Sequence, residues 1–532
     1  MELLESLLNA YVSSAVLGVI LLYILYRFSV RNHNVWKEKN VPFVKPYPFV
    51  GSLLPTLRYG FEVLDFENLK KSGRIYGYYD GNNPALMIAE PELLRDIYVK
   101  DFQSFLDHTD FGTGEELLEK MLIIVGGEDW KRIRMVVSPT FSTGKLKKVL
   151  GIFEDCSKTL IKSFKKFADS NKSCDVYKMY GSFTVDIIAS SAFSTKIESR
   201  NDPNNIFVKH VKRMFEQNPS FRQILAFAAP NLARKLGVKI VPQDSLNFFR
   251  DTIYEIIKQR RETGQTRNDF LQLLLECANE IPKEDLNELM SEEVTQNYGS
   301  ESADRTYFKN ISSKSLSMDE IVAQCILFFI AGYQTTTLLL GYTTYNLAVN
   351  QKIQDKVFEE IKEQLRETNG KVTYEAIQNR KYLDNVISEA LRLHPPVVRL
   401  DRIAVVDYKL KGTEITIPKG TTVTTPVYAM HRDPEFFPDP ETFDPDRFSP
   451  ENKDKIIPYS YLPFGSGPRN CIGMRFALLE TKICLTYVLS TFQVLTGPET
   501  KIPLEHLAGG LGFLRPKDIT LRFKQRDDCP LK

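Results

Sequence analysis

The sequence predicts a mainly helical protein with a small sheet, set behind one N-terminal transmembrane helix, and three observations carry that prediction. Residues 6–26 contain no charged side chain, and a helix of that length covers about 30 Å. Apolar residues recur at helical spacing over 183–193, 248–257 and 269–275, and again through a long apolar run from 317 to 349. Only two short stretches, 74–87 and 403–423, look like strands broken by glycines.

With 532 residues, the chain has room for three or four ordinary domains, or for one very large one. Its 43% hydrophobic and 26% charged composition is that of a globular protein, and a net charge of +2 gives no reason to expect a nucleic-acid partner. The seven cysteines (156, 174, 277, 325, 471, 484 and 529) form no close metal-type spacing, and their odd number argues against a disulfide framework. A reducing compartment fits the bulk of the chain.

The apolar run at the start has Glu2 and Glu5 before it and Arg27, Arg31, Lys37 and Lys39 after it. It lacks the basic leader of a cleaved signal peptide, and the positive flank belongs on the cytoplasmic side. Residues 1–30 are therefore expected to be a membrane anchor. Residues 31–52, with Pro42, Pro46 and Pro48, read as a stiff hinge, because proline interrupts a continuous helix.

Further on, 91–99 reads as helical. Trp130 and Arg134 stand at i, i+4, so an indole N–H and a guanidinium share a helix face and can address one anion; a core Trp beside a surface Arg is the competing reading. Residues 291–315, rich in Ser, Asn, Glu and Thr, read as an exposed loop. Ser317-Met318-Asp319-Glu320 fits a capping box at the start of the long apolar helix. The middle of that helix, Ala331-Gly332-Tyr333-Gln334-Thr335-Thr336, holds poor helix formers, which suggests either a functional site or a packing notch for another helix. Glu389 and Arg392 make a common i, i+3 pair, and Arg402 precedes the 403–423 alternation.

Near the C-terminus, Pro463-Phe464-Gly465-Ser466-Gly467-Pro468-Arg469-Asn470-Cys471-Ile472-Gly473 puts one cysteine just before another helix-patterned run. The positive helix end and nearby Arg469 both favour a thiolate. The glycines clear space for something flat and bulky to approach the backbone. Three readings compete for this loop: a structural cysteine, a phosphate-binding glycine loop (for which Asn470 stands where glycine is needed), and an axial thiolate to haem iron.

Phe464, Gly467, Arg469, Cys471 and Gly473, at this spacing, resemble the haem-binding signature of the cytochrome P450 family. The resemblance implies a cytochrome P450 fold, with residues 53–532 as one catalytic domain, and haem b ligated by Cys471. It implies that Trp130, Arg134, Arg402 and Arg469 hold the propionates, that Phe464 shields the sulfur, and that Thr335 delivers protons during oxygen activation. Gln334 stands where the family usually has an acid, and an amide cannot shuttle a proton by ionising. Glu389 and Arg392 would join Arg447, within Phe443-Asp444-Pro445-Asp446-Arg447-Phe448, in a structural triad.

The implied activity is a monooxygenase that inserts one oxygen atom into a lipophilic small molecule, with electrons from NADPH through NADPH-cytochrome P450 reductase and with cytochrome b5 as a further partner. The implied address is the endoplasmic reticulum membrane, with the catalytic domain facing the cytoplasm. Candidate pocket residues are Phe111, Phe328, Ile330, Ala331, Val397, Val398, Leu511 and Phe513, all apolar. Lys131, Arg132, Lys145, Lys147 and Lys148 form a candidate docking face for the reductase. A haem-thiolate isomerase or dehydratase working without O2, and a non-catalytic membrane-held binder of apolar molecules, are the alternatives.

Overall fold

A computed structural model describes residues 2–109, 113–194, 205–215, 221–267, 269–277, 315–507 and 512–531. The expected loop at 291–315 lies, but for Ser315, outside the described residues.

The apolar run forms helix α1 (Glu2–Ser29), and none of its membrane-length window is covered by protein. Where the anchor ends, the chain does not become a free linker. Ser29 is buried, Asn32 N and Nδ2 donate to Asn82 Oδ1 (3.2 Å) and O (3.1 Å), and the buried Trp36 donates from Nε1 to Tyr78 O at 3.2 Å. The proline-rich stretch continues this docking. Gly77 N donates to Pro42 O (2.7 Å) and Val44 N to Gly77 O (2.9 Å), which seats the stretch against strand β1 (Ile75–Asp80). Gly77 makes the contact possible, since a Cβ there would lie 2.3 Å from the Trp36 ring.

β1 pairs antiparallel with β2 (Asn83–Ile88). The helical body then follows through α2 (Gly127–Val137), α3 (Thr143–Asp169) and α4 (Val176–Phe193). The long apolar run becomes α5 (Met318–Val349), which is as membrane-like by length and composition as α1 but is 67% buried over the comparable window. It is the core helix of the domain.

Its capping box is formed as expected, with Glu320 N donating to Ser317 Oγ (3.3 Å) and Ser317 N to Glu320 Oε2 (2.7 Å). Its threonines are accommodated because each hydroxyl donates to the carbonyl one turn back, as Thr335, Thr337, Thr343 and Thr344 all do at 2.7 Å. Helix α4 is keyed to α5 by hydroxyl pairs, Tyr180 with Thr344 and Thr184 with Thr337, both at 2.8 Å.

α6 (Lys381–Leu393) leads into β3 (Leu400–Ile403), and β4 (Thr422–Thr425) follows. The sheet order is β1-β2-β4-β3, with β2 and β4 parallel (Leu86 opposite Val423) and β4 and β3 antiparallel (Arg402 opposite Val423). This corrects the expected 403–423 alternation. The strand begins at Leu400 and so takes in Arg402, while Tyr408–Lys409 and Thr416–Ile417 form a separate two-stranded ribbon. The last helix, α7 (Met474–Thr491), starts directly behind the cysteine loop.

Candidate functional site

The loop that carries Cys471 is a chain of tight turns. Gly465 N donates to Leu462 O (3.1 Å), Asn470 N to Gly467 O (3.1 Å) and Cys471 N to Phe464 O (2.8 Å). Gly465 and Gly467 both take positive φ, +72° and +75°. A Cβ on Gly467 would sit 1.9 Å from Tyr98 O, so this glycine makes room for the protein's own backbone. That corrects the expectation that it clears space for a ligand.

The Cys471 side chain is accessible yet surrounded by protein, the pattern of a group that faces an internal cavity. Its thiol is not depressed overall. Burial pushes it up, while the first-turn N–H groups of Gly473 and Met474 and the charge of Arg134 pull it down. The expectation that the helix end and Arg469 would make a ready thiolate is corrected on both points: burial outweighs the helix end, and the cation beside the sulfur is Arg134.

Arg134 is held for this position. Its Nη1 donates to Asn470 O (2.9 Å) and its Nη2 to Asn470 Oδ1 (2.8 Å), so the guanidinium is hooked onto the residue before the cysteine. Trp130 lies one turn earlier, fully buried, with the Arg469 guanidinium 5.0 Å from its ring centroid. Arg469 donates from Nη1 to Leu106 O and from Nη2 to Val125 O, both 2.6 Å, and burial lowers it to about 9. Arg402 donates from Nη1 to Asp401 O (2.7 Å) and lies over Tyr98 (4.8 Å). The Nε atoms of Arg402 and Arg469 are buried and have no hydrogen-bond partner among the described residues.

Sequence reasoning missed two residues here. His108 lies 3.4 Å from Arg402 Nη1 and 3.4 Å from Asp401 Oδ1, and Asp107 stands 3.6 Å from Arg469 Nη1. A lone His and Asp in a loop give no periodic signal that would have marked them.

On α5, the packing account of the Ala331–Thr335 region is realised on one face. Gly332 is a packing notch, because a Cβ there would come 3.1 Å from Ile188 Cδ1. Ala331 is exposed and Thr335 partly so, although they lie at mid-helix. Gln334 faces the protein, buried, with Nε2 donating to Tyr177 Oη at 2.7 Å.

The expected triad meets. Arg392 donates from Nε and Nη2 to the two oxygens of Glu389 (2.8 and 2.7 Å), and its remaining donors satisfy the carbonyls of His431, Pro440 and Thr442. Arg447 Nε stands 3.5 Å from Glu389 Oε1, an ion pair without a hydrogen bond, and Asp444 N donates to the same oxygen. Burial raises the Glu389 carboxyl and Arg392 opposes the rise.

Among the pocket candidates, Phe111 and Leu511 lie outside the described residues. Val397 and Phe513 form a backbone bridge and are partly buried, Ile330 is partly buried, and Val398 is core. Phe328 belongs to an aromatic cluster, stacked on Phe270 (4.5 Å) and edge-on to Phe476 (5.2 Å). Phe464 is partly buried in the cysteine loop. The expected basic face is smaller than the sequence suggests. Lys131 is buried and paired with Glu128, and Arg132 is clamped by Asp129 and Glu320. Lys147, paired with Glu375, and Lys148 remain exposed, and Lys145 is half-buried.

The model of the family described as cytochrome P450 matches residues 41–522. Among curated proteins, the chain is similar to cytochrome P450 3A9 of Rattus norvegicus, 36% identical over 527 residues and 98% of each chain. It is also similar to cytochrome P450 3A2 of Rattus norvegicus (37% over 519 residues, 96% of each chain) and cytochrome P450 3A7 of Homo sapiens (35% over 527 residues, 98% of each chain).

Proposed function

The chain belongs to the cytochrome P450 family, and on that premise we propose that Cys471 would hold the iron of its haem b. Membership makes it a haem-containing monooxygenase of lipophilic small molecules. The residues fit the group: the sulfur is accessible, and two buried arginines each keep an Nε that is unpartnered among the described residues and suited to a carboxylate.

When bound, the thiolate-ligated haem supplies the oxygen chemistry, with the sulfur pushing electron density toward iron. The chain's own part is to hold and orient. Arg134 and the Gly473 and Met474 N–H groups stabilise negative charge on Cys471, which offsets the burial that raises its thiol. Trp130, Arg134, Arg402 and Arg469, with Trp130 packed against the last, would take the propionates, and Phe464 would cover the sulfur. Thr335 would hold a proton donor on the cavity side of α5, while Gln334 would act from behind it by fixing Tyr177. Glu389, Arg392 and Arg447 would brace the scaffold.

Electrons would come from NADPH through its cytochrome P450 reductase, with cytochrome b5 as a further donor. The exposed Lys147 and Lys148 would steer that acidic partner. The address would be the endoplasmic reticulum membrane, with the positive flank of α1 and the catalytic domain in the cytoplasm.

The observation that carries this reading is the accessible Cys471 thiol, with two backbone N–H groups and Arg134 turned toward it. Replacing Cys471 by Ala should abolish the long-wavelength Soret band of the reduced carbon monoxide complex. A surviving band would remove the ligand assignment.

A further inference from the structure

A guanidinium drawn into a protein is ordinarily met by a carboxylate, and the chain follows that rule at Arg392, Arg399 and Arg132, which pair with Glu389, Asp65 and Glu320. Near the cysteine loop, Arg469 has Asp107 at 3.6 Å, and Arg402 feels the charge of Asp401. Arg134 departs from the rule. It forms no ion pair with a carboxylate among the described residues, and the charge that supports its own is that of the Cys471 sulfur.

What holds Arg134 instead is the neutral Asn470. Nη1 donates to its main-chain oxygen (2.9 Å) and Nη2 to its side-chain oxygen (2.8 Å), a two-pronged grip between α2 and the residue before the cysteine. Both ends of the grip are anchored. Trp130, one turn before Arg134, is fully buried, and Asn470 N is spent within the loop on Gly467 O (3.1 Å). A guanidinium has five N–H groups, so the two bonds to Asn470 leave others for the propionates.

The chemistry of the holder matters. A carboxylate at 470 would accept from Nη2 in the same place, through a charge-assisted bond roughly twice as strong. It would also cancel the charge of the guanidinium. An amide keeps the geometry and leaves that charge unspent, and inside a protein a unit charge acts on its neighbours far more strongly than in water.

We infer that Asn470 is a positioning residue: it presents Arg134 to the haem side as a cation that no protein carboxylate cancels, and thereby raises the reduction potential of the haem that Cys471 would hold. A nearby cation favours the ferrous state, which carries one more electron than the ferric. The inference rests on the reading of Cys471 as the iron ligand. A merely structural grip, fastening α2 to the loop, would be served equally well by a carboxylate.

The test uses the full-length, haem-loaded protein in detergent at neutral pH. The ferric–ferrous midpoint is measured by mediated spectroelectrochemical titration, after each variant is checked for the long-wavelength Soret band of the reduced carbon monoxide complex. Asn470→Asp should lower the ferrous-to-ferric ratio at a fixed poise about tenfold, or about 59 mV for one electron. Asn470→Ala frees Arg134 without cancelling it and should lower the ratio about threefold. Arg134→Gln removes the charge and should match Asn470→Asp. Adding Asn470→Ala to Arg134→Gln should change nothing further, because Asn470 acts through Arg134.

A potential in Asn470→Asp equal to that of the parent protein, a larger fall in Asn470→Ala than in Asn470→Asp, or the same Asn470→Ala shift with and without Arg134 overturns the inference. If Arg134→Gln retains no haem, the order of the two Asn470 variants decides. Absence of the Soret band from the unsubstituted protein would strike the ligand reading and this inference with it, whereas a normal band with unshifted potentials strikes this inference alone.

Discussion

Two sets of buried charge lie within this domain, and they are built on opposite plans. Around Glu389, every donor of Arg392 is consumed by protein: two bonds to the carboxylate and three to backbone carbonyls. Around the cysteine loop, Arg402 and Arg469 are also buried, but each keeps a donor unspent among the described residues. Desolvating a charge is costly, so a guanidinium whose five donors are all consumed, as in Arg392, is scaffold, whereas the unspent donors of Arg402 and Arg469, like the Nε of Arg447, leave room for a further partner. The contrast separates two roles that burial alone would merge.

The largest effect should come from breaking the closed set. Arg392→Leu leaves the buried Glu389 with only Arg447 and the Asp444 N–H beside it and strips three backbone carbonyls of their donor, which should destabilise the domain by about 3–5 kcal/mol and suppress holoprotein, measured by thermal denaturation in detergent. A variant that melts with the parent protein would show that the network is not scaffold.

Arg402→Leu tests the open set and should behave differently. The fold should persist, while haem is held more weakly by about 1.5–3 kcal/mol, roughly tenfold to a hundredfold, read as transfer to apomyoglobin. Unchanged transfer would remove Arg402 from the propionate role.

A third measurement sharpens the comparison through pH. His431 belongs to the closed set: its Nε2 accepts from Leu462 N (3.0 Å) and its Nδ1 lies 3.2 Å from Arg392 O. Burial, with Arg392 and Arg432 nearby, holds the ring down at about 3, against about 6.5 when unfolded. The neutral ring's contribution is complete above pH 6.5 and is lost as pH falls toward 3, on the order of 2 kcal/mol by pH 5. Denaturant midpoints at pH 7 and pH 5 should differ accordingly, and His431→Gln should flatten the difference. A slope that survives the substitution belongs to other groups.

The smallest effect concerns Gln334. Gln334→Glu and Tyr177→Phe should both leave haem content intact and change the fraction of NADPH consumption that ends in product. Unchanged coupling in both would leave the Gln334–Tyr177 bond without a part in proton handling.

The capping box of α5, the apolar run of α1 and the turn-rich cysteine loop before α7 were legible because each is a local pattern, complete within a few residues. What could not be read were partners brought from far along the chain. Asn470 meets Arg134 across 336 residues, Tyr177 meets Gln334 across 157, and Asp65 meets Arg399 across 334. At Cys471 the local reading found the helix end that lowers the thiol and missed the burial that opposes it. A helix terminus is visible in sequence, whereas the depth of protein around the sulfur, which outweighs it, is a tertiary property. Gly467 teaches the same lesson, since the atom it accommodates is the Tyr98 carbonyl.

The docking of the chain just after α1 has a mechanical consequence. Only Val30 and Arg31 separate the buried Ser29 from Asn32, which is already bonded to the β1–β2 turn. At about 3.5 Å per residue, that is a leash of roughly 10 Å even if drawn straight. A body tethered so closely cannot tumble on its own axis, and its rotational diffusion becomes that of the bilayer-embedded helix. Phosphorescence anisotropy of a probe on the domain should therefore decay on the timescale of membrane viscosity, and inserting a flexible spacer after Ser29 should release it.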